Sequence, residues 1–318
     1  MKKSIFVFFL SFIIFSCGNP TSSEEKSNEL NLEGFYERIG IVELVNFIPV
    51  DTILTTDGFR QTKFFSKQGH MWMNNDKFTN NTSDSIPPWG YGGGIYGAFK
   101  VKNDSLYELV KYGFGHRASF NSIPVDTLIK YGWEVDYKNK LMKYKVPIIA
   151  SNSNEFLQVF GNATNGTGFA EYYVKTPEGE SSALDGIWKR EGTIEHVNEV
   201  PVDTIFNSMD DFVQYKIYYK GKAMFFTRDF TADDPSKGNF YGGSFYGNFT
   251  YNDNVLTERI DYAMAGFEEF HKNLPDKDEN GTFISFDVDL KENSYSQKWG
   301  PNQNEGYLNT SEYFIKVK

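Results

Sequence analysis

The sequence of 318 residues contains little of what most catalytic and metal-binding sites are built from. It has one cysteine, Cys17, and four histidines, His70, His116, His196 and His271, of which no two stand at metal-ligand spacing. A single cysteine cannot form a disulfide within the chain. No serine lies in a G-x-S-x-G motif. Chemistry based on histidine, cysteine or serine is therefore not expected, and neither is a cofactor.

The sequence also lacks a basic excess and a long apolar run. It has 32 Lys and Arg against 42 Asp and Glu, a net charge of -10 and a pI near 5.0. Such a chain offers no basic surface to phosphate backbones, so nucleic-acid binding is not expected. The apolar run from Ile5 to Phe15 follows Lys2 and Lys3 and is too short to cross a membrane. This pattern is typical of a secretory signal peptide.

The cysteine stands directly after that run. The stretch I-F-S-C-G resembles a bacterial lipoprotein box, in which the cysteine, here Cys17, is lipidated and becomes the mature N-terminus. The alternative is a plain signal peptide with an incidental cysteine. Residues 18–31 have one apolar side chain in fourteen and are predicted to be a flexible tether. The resemblance implies anchoring in the bacterial cell envelope, at the outer membrane, on the periplasmic or the surface side.

What the sequence does contain is a duplication. Y-G-G-G-I-Y-G-A-F at 91–99 matches Y-G-G-S-F-Y-G-N-F at 241–249, and V-N-F-I-P-V-D-T-I at 45–53 matches V-N-E-V-P-V-D-T-I at 197–205 in seven of nine positions. Further pairs are K-F-F-S-K at 63–67 with K-I-Y-Y-K at 216–220, W-E-V-D-Y-K at 133–138 with F-D-V-D-L-K at 286–291, and E-Y-Y-V-K at 171–175 with E-Y-F-I-K at 312–316. The predicted domains are 32–177 and 184–318, joined by a linker at 178–183.

Within each copy, apolar residues alternate with a period of two, and turn residues such as Asn252-Asp253-Asn254 and Lys220-Gly221 separate the runs. The predicted fold class is all-β, with two tandem small antiparallel β-barrels. The repeated glycines have a physical role, because a strand that bends to close a small barrel crowds its concave face. The predicted corner residues are Gly92, Gly93, Gly97, Gly242, Gly243 and Gly247.

These motifs permit one comparison with a known family. The opening strands Gly34-Phe35-Tyr36 and Gly186-Ile187-Trp188, the central G-G-x-Y-G strands and the closing E-Y strands resemble the lipocalin-like domains of Bacteroidota lipoproteins. The resemblance implies a barrel of eight to ten strands with a cavity for a small ligand. An arginine common near the last strand of such domains is absent, and Arg38 and Arg190 are candidates to replace it.

The cavity is predicted to be lined by aromatic rings, with a repeated glutamate fixing polar groups. The candidate ligand-binding residues are Tyr96, Phe99, Glu108, Tyr246, Phe249 and Glu258. Such a cavity suits a small apolar or amphipathic molecule bound without catalysis. Filled barrel cores remain an alternative for the same aromatics.

Two other functions are open. Trp89, Tyr91 and Trp133 are candidates for a carbohydrate-binding or protein-interaction surface of the cell envelope. Paired carboxylates, Glu108 with Glu171 and Glu258 with Glu312, are the arrangement used by glycoside hydrolases. A structural role, as the acid of a buried polar cluster, is the competing interpretation.

One loop has the spacing of a calcium site. Asp276, Asp278 and Asn280, followed by Gly281 and Asp287, place oxygen ligands at positions one, three, five and twelve of the calcium-loop pattern. Against Ca²⁺, position twelve is Asp instead of Glu, and the following residues alternate as a strand. An acidic hairpin loop is the alternative.

Overall fold

The structure is a computed structural model. The secondary-structure elements within its described residues are all β-strands. The described residues are 30–54, 60–75, 92–102, 104–115, 133–136, 141–162, 167–208, 211–233, 241–265, 267, 276–279, 281–299 and 310–318. The signal peptide, Cys17 and most of the tether lie outside them. Within this described part of the chain, no helix has the length and apolarity needed to cross a membrane.

The first copy contains ten strands. They are β1 (Gly34–Val45), β2 (Ile48–Leu54), β3 (Gln61–Ser66), β4 (Gly69–Asn74), β5 (Gly93–Lys102), β6 (Ser105–Gly115), β7 (Trp133–Asp136), β8 (Leu141–Asn152), β9 (Glu155–Asn162) and β10 (Thr167–Lys175). Eight of them pair antiparallel in the order β1-β3-β4-β5-β6-β8-β9-β10, and β10 pairs back with β1. This last pairing closes the barrel, while β2 and β7 are attached to β1 and β8.

The second copy repeats this topology strand for strand. Its elements are β11 (Gly186–Val197), β12 (Val200–Phe206), β13 (Phe212–Tyr219), β14 (Lys222–Asp229), β15 (Gly242–Asn252), β16 (Val255–Ala265), β17 (Asp276–Asp278), β18 (Gly281–Leu290), β19 (Ser294–Trp299) and β20 (Thr310–Lys316). The pairing of β11 with β20 closes the second barrel. The prediction of two tandem antiparallel barrels is therefore confirmed.

The strand pairing corrects one of the sequence matches. W-E-V-D at 133–136 forms β7, the short strand attached to β8, whereas F-D-V-D at 286–289 lies inside β18, which is the counterpart of β8. The true counterpart of β7 is β17, at Asp276–Asp278. A four-residue match between two alternating segments was too short to fix the register.

The repeated glycines act at β-bulges. The register shifts between Tyr96 and Gly97 in β5 and between Tyr246 and Gly247 in β15. A Cβ on Gly97 would lie 1.7 Å from the carbonyl oxygen of Leu109, and one on Gly247 would lie 1.9 Å from that of Arg259. Because no side chain tolerates such an approach, only glycine permits the bend at these two positions. This confirms their prediction as corner residues.

The two barrels pack against each other through an apolar interface. β5 and β6 of the first barrel meet β14 and β15 of the second. The rings of Tyr96 and Tyr215 stack with centroids 3.6 Å apart, and the hydroxyls of Thr62 and Tyr262 share a hydrogen bond of 2.7 Å. The buried residues of this interface are Phe35, Phe64, Met71, Met73, Tyr96, Phe114, Ile187, Val213, Tyr215, Ile217, Met224, Phe226, Tyr246, Tyr262 and Met264.

Candidate functional site

The second barrel contains an open cavity of about 390 Å³. All eight strands that form the closed ring line it through side chains, and β15 also contributes its first glycine. The aromatic walls come from Phe212, Phe225, Phe245, Phe267 and Phe286, with Ile284 between them. The polar lining comes from Arg190, Gln214, Lys216, Thr227, Asp229, Glu258, Gln297 and Glu312. The cavity is thus an apolar chamber with a small set of polar groups, as in typical ligand sites.

Two ion pairs, one buried and one partly buried, form the polar part of the cavity. Lys216 Nζ donates to Glu258 Oε1 at 2.8 Å and to Gln297 Oε1 at 3.1 Å, and the Tyr218 hydroxyl also donates to Glu258. Arg190 donates to Glu312 at 2.8 Å, and Gln297 donates to the other oxygen of Glu312 at 2.7 Å. Both carboxylates are therefore held by a cation and by neutral donors, which offsets the cost of burying them.

The same pairs are present in the first barrel. Lys63 Nζ donates to Glu108 at 2.8 Å and to Gln158 at 2.6 Å, and Arg38 donates to Glu171 at 2.9 Å. Burial by itself would raise the pKa of Glu108, but Lys63 and His70 outweigh it and hold that pKa well below its ordinary value. The role predicted for Arg38 and Arg190, as substitutes for the missing arginine, is consistent with these contacts.

One donor to the glutamate differs between the barrels. In the first, His70 contacts Glu108 Oε1 at 2.9 Å through Nε2, and its ring stacks on Phe65. In the second, the residue opposite Tyr218 is Ala223, and the Tyr218 hydroxyl supplies the donor instead. Phe65 pairs with His70 as Tyr218 pairs with Ala223. The same cross-strand pair thus supplies the donor in both copies, from its β4 residue in the first barrel and from its β13 residue in the second.

The structure separates the six predicted ligand-binding residues. Glu258 lines the cavity, and Glu108 occupies the equivalent position in the first barrel. Phe99 packs on Phe65 inside the first barrel, and Phe249 packs on Tyr218 in the core of the second. The prediction for Tyr96 and Tyr246 is wrong, because both side chains point out of their barrels into the interface between them.

The calcium-loop pattern does not form a loop in the structure. Asp276–Asp278 is a strand paired with the start of β18, and Asp278 makes two hydrogen bonds to Arg259, of 2.6 and 2.7 Å. Asp287 lies four residues beyond the partner of Asp276, about 13 Å further along an extended strand. These three side chains therefore do not converge, and the alternative interpretation, an acidic hairpin, describes them. Asn280 lies outside the described residues.

Other candidate residues are only partly described. Trp89 and Tyr91 lie outside the described part of the chain, and Trp133 is placed only by its position in β7. Among the described residues, no three His, Cys, Asp or Glu side chains are placed to hold a metal ion.

Sequence reasoning missed the lysines and glutamines of the two polar clusters. Lys63 and Lys216 open the matched segments K-F-F-S-K and K-I-Y-Y-K, so a signal was present. A lysine that recurs within an aromatic strand, on the face opposite the interface, indicates a buried ion pair. Gln158 and Gln297 gave no comparable signal, because the segments around them show little identity.

No family model and no curated protein matches this chain. Solved structures similar to it include two that each share 16% identity over 42% of this chain. One is an uncharacterized protein from Bacteroides eggerthii, covered to 98% with a TM-score of 0.24, and the other is a lipocalin-like protein from Bacteroides uniformis, covered to 99% with a TM-score of 0.25. The assignment of two barrels stands on the strand pairing of the chain itself.

Proposed function

We propose that this protein binds a small apolar or amphipathic molecule in the cavity of its second barrel, without catalysis. The observation that carries the proposal is the cavity of about 390 Å³ inside a closed antiparallel barrel. This volume lies within the range of roughly 300 to 1,000 Å³ typical of small-molecule sites. The walls are aromatic, so moving an apolar part of the ligand from water into the cavity lowers the free energy of the system.

The polar groups of the cavity support binding more than reaction. A two-carboxylate hydrolase, the second candidate, needs one carboxylic acid that keeps its proton near neutral pH. Glu258 and Glu312 do share the cavity, but each already accepts hydrogen bonds from a cation at 2.8 Å and from a neutral side chain of the protein. We expect a panel of glycoside substrates to give no turnover; turnover that disappears in Glu258→Gln and Glu312→Gln would establish the enzyme instead.

The proposal places the protein outside the cytoplasm on a lipid anchor at Cys17, in the cell envelope. In that setting a barrel fixed to a membrane would hold or pass on a molecule that is poorly soluble in water. Replacing Cys17 by Ala is expected to move the protein from the membrane fraction to the soluble fraction in a bacterial host. Membrane association that survives this substitution would exclude the anchor.

Binding is tested by native mass spectrometry of the purified protein and by titration with the neutral fluorescent amphiphile N-phenyl-1-naphthylamine. Ile284→Trp replaces a branched aliphatic side chain of the lining by a bulky indole ring and is expected to abolish binding of the probe. Ile315→Trp makes the same change at an exposed position on β20 and is expected to preserve it. Equal probe binding by both variants would show that the cavity is not the site.

A further inference from the structure

Two neutral side chains stand side by side on the wall of the cavity. Gln214 in β13 and Thr227 in β14 are directly opposed across the two strands, and both line the cavity. They are 3% and 8% exposed. Directly opposed residues on one face of an antiparallel pair have their Cβ atoms about 5 Å apart, so one small polar group can reach both side chains.

Both side chains have hydrogen-bonding capacity that the protein does not use. Gln214 Oε1 accepts from Arg190 at 3.0 Å, but the Gln214 amide NH₂ has no partner among the described residues. The hydroxyl of Thr227 is buried and has no partner there either. A buried polar group without a partner is costly, so the Thr227 hydroxyl, beside a neutral amide on the cavity wall, indicates a missing partner.

The first barrel has the same arrangement at the same place. Gln61 is directly opposed to Asn74, Gln61 Oε1 accepts from Arg38 at 3.1 Å, and Asn74 Oδ1 is buried without a partner in the described part of the chain. An uncharged pair with unused hydrogen bonds therefore occurs in both copies, although one member is Asn in the first and Thr in the second. Chance placement of a single unsatisfied hydroxyl does not explain a feature that occurs twice.

The two cations beside Gln214 and Thr227 are already paired, and the third acid of the lining, Asp229, accepts hydrogen bonds of 2.9 and 2.6 Å from the exposed Thr231. Arg190 is paired with Glu312, and Lys216 is paired with Glu258, each at 2.8 Å. A ligand carboxylate would have to displace a protein carboxylate or stay uncompensated near it, and a ligand ammonium would lie near Arg190 and Lys216. Burying either ion would cost its hydration without a new partner.

We propose that the ligand of this cavity is an amphiphile with an uncharged hydrogen-bonding head, such as a hydroxyl or a carbonyl group. The head lies against Gln214 and Thr227, and the apolar body packs on Phe225, Phe245 and Phe286. This assignment of ligand class rests on the proposed function.

The test is calorimetric titration of the full chain, at neutral pH, with three probes of equal chain length: 1-octanol, octanoate and octylammonium. Octanol is expected to bind at least about tenfold more tightly than either ion. Thr227→Val removes the hydroxyl at constant shape and is expected to weaken octanol binding about five- to tenfold, the effect of one hydrogen bond. Thr257→Val, the same change on the outer face of β16, is expected to have no effect.

The outcomes separate the two proposals. Tighter binding of octanoate or octylammonium, or octanol affinity unchanged in Thr227→Val, would overturn the uncharged head and leave a binding cavity in place. If none of the three probes binds, or if Ile284→Trp leaves octanol binding intact, the proposed function fails together with this inference. The order of the three probes on the unmodified protein keeps the test decisive even if a variant folds poorly.

Discussion

At the scale of single residues, ion pairing in the barrel interior explains one set of side chains that recurs in both copies. The lysine, the arginine and the two glutamates occur at matched positions, because each buried ion requires its partner. Removal of one partner leaves an uncompensated charge, which costs more than removal of both. His70 in the first copy and Tyr218 in the second supply the additional donor, because the glutamate requires a donor but not a particular side chain.

The Glu108 cluster predicts a pH dependence. The pKa of Glu108 is lowered in the folded protein, so its contribution to stability is present above its unfolded pKa of about 4.3 and is lost as the pH falls below that value. Urea unfolding at about pH 7 and about pH 3 should show a larger loss of stability in the unmodified protein than in Glu108→Gln. Equal losses in the two proteins would contradict the assignment.

A glycine at a bulge predicts a steric effect. In Gly247→Ala, the new methyl group would lie 1.9 Å from the Arg259 carbonyl oxygen, so the backbone of β15 and β16 must separate. We expect a loss of about 2 to 3 kcal/mol in the free energy of unfolding, measured by urea denaturation. Gly179→Ala, whose Cβ would meet its nearest atom at 3.1 Å, is the control and is expected to lose much less. Similar losses would mean that the bulge adapts.

At the scale of elements, the most unusual features are two hairpins that extend from the barrels. All residues of β2 are exposed, as are nearly all of β12, and both strands are at the end of their sheet in the described part of the chain. They carry Ile48, Val50, Ile53 and Leu54 in the first copy and Val200, Val202, Ile205 and Phe206 in the second. A proline and a bulge in each strand, at Pro49 and Pro201, make these edges poor templates for pairing with another sheet.

The turns of these hairpins predict a stabilising substitution. Asn46-Phe47 and Asn198-Glu199 both have two residues with positive φ, the geometry of a type I′ turn, in which glycine is preferred at the second position. Glu199 has a φ of 66°, so we expect Glu199→Gly to raise the free energy of unfolding by about 1 kcal/mol. Glu195→Gly, within β11, is expected to lose stability. Thermal denaturation of the two variants tests the difference, and a loss in both would contradict the turn assignment.

At the scale of the whole molecule, the duplication has produced one body with a shared apolar interface. The outer wall of each barrel, which would face water in a single barrel, is covered by the other copy with tyrosine, phenylalanine and methionine side chains. Arg60 adds a contact over the ring of Tyr262, 4.5 Å from its centroid. The linker is also held, since Gly179 donates to the Lys220 carbonyl at 2.8 Å and Glu178 pairs with Lys175.

The interface predicts a loss of stability in alkali. Burial raises the pKa of Tyr96, Tyr215 and Tyr262 above the ordinary value of about 10, so the stability that they contribute is present below pH 10 and is lost as the pH rises above it. The double variant Tyr96→Phe, Tyr215→Phe keeps the stacked rings but lacks their hydroxyls. Its urea midpoints at about pH 8 and about pH 11 should therefore differ less than those of the unmodified protein. If the double variant loses as much stability in alkali as the unmodified protein, Tyr96 and Tyr215 are not the groups responsible for that loss.

The sequence by itself determined the duplication, the strand class, the hairpin turns, the glycine bends and the repeated glutamates. These features depend on local geometry: alternation reports two faces of a strand, and turn and bulge positions accept few residue types. Only the tertiary structure decided which face was inside. Both faces of β5 and β15 are apolar, because one faces the barrel core and the other faces the second copy, so Tyr96 and Tyr246 could not be placed from period alone.

The same reason applies to the cavity and to the acidic hairpin. A cavity is the volume that side chains from many strands fail to fill, and no single segment encodes that volume. The residues from Asp276 to Asp287 have the spacing of calcium ligands along the chain. In the structure, however, Asp276–Asp278 pairs with β18 as an extended strand, and Asp278 accepts a hydrogen bond from Arg259. Spacing along the chain becomes proximity in space only when the backbone curls, and that depends on the neighbouring strands.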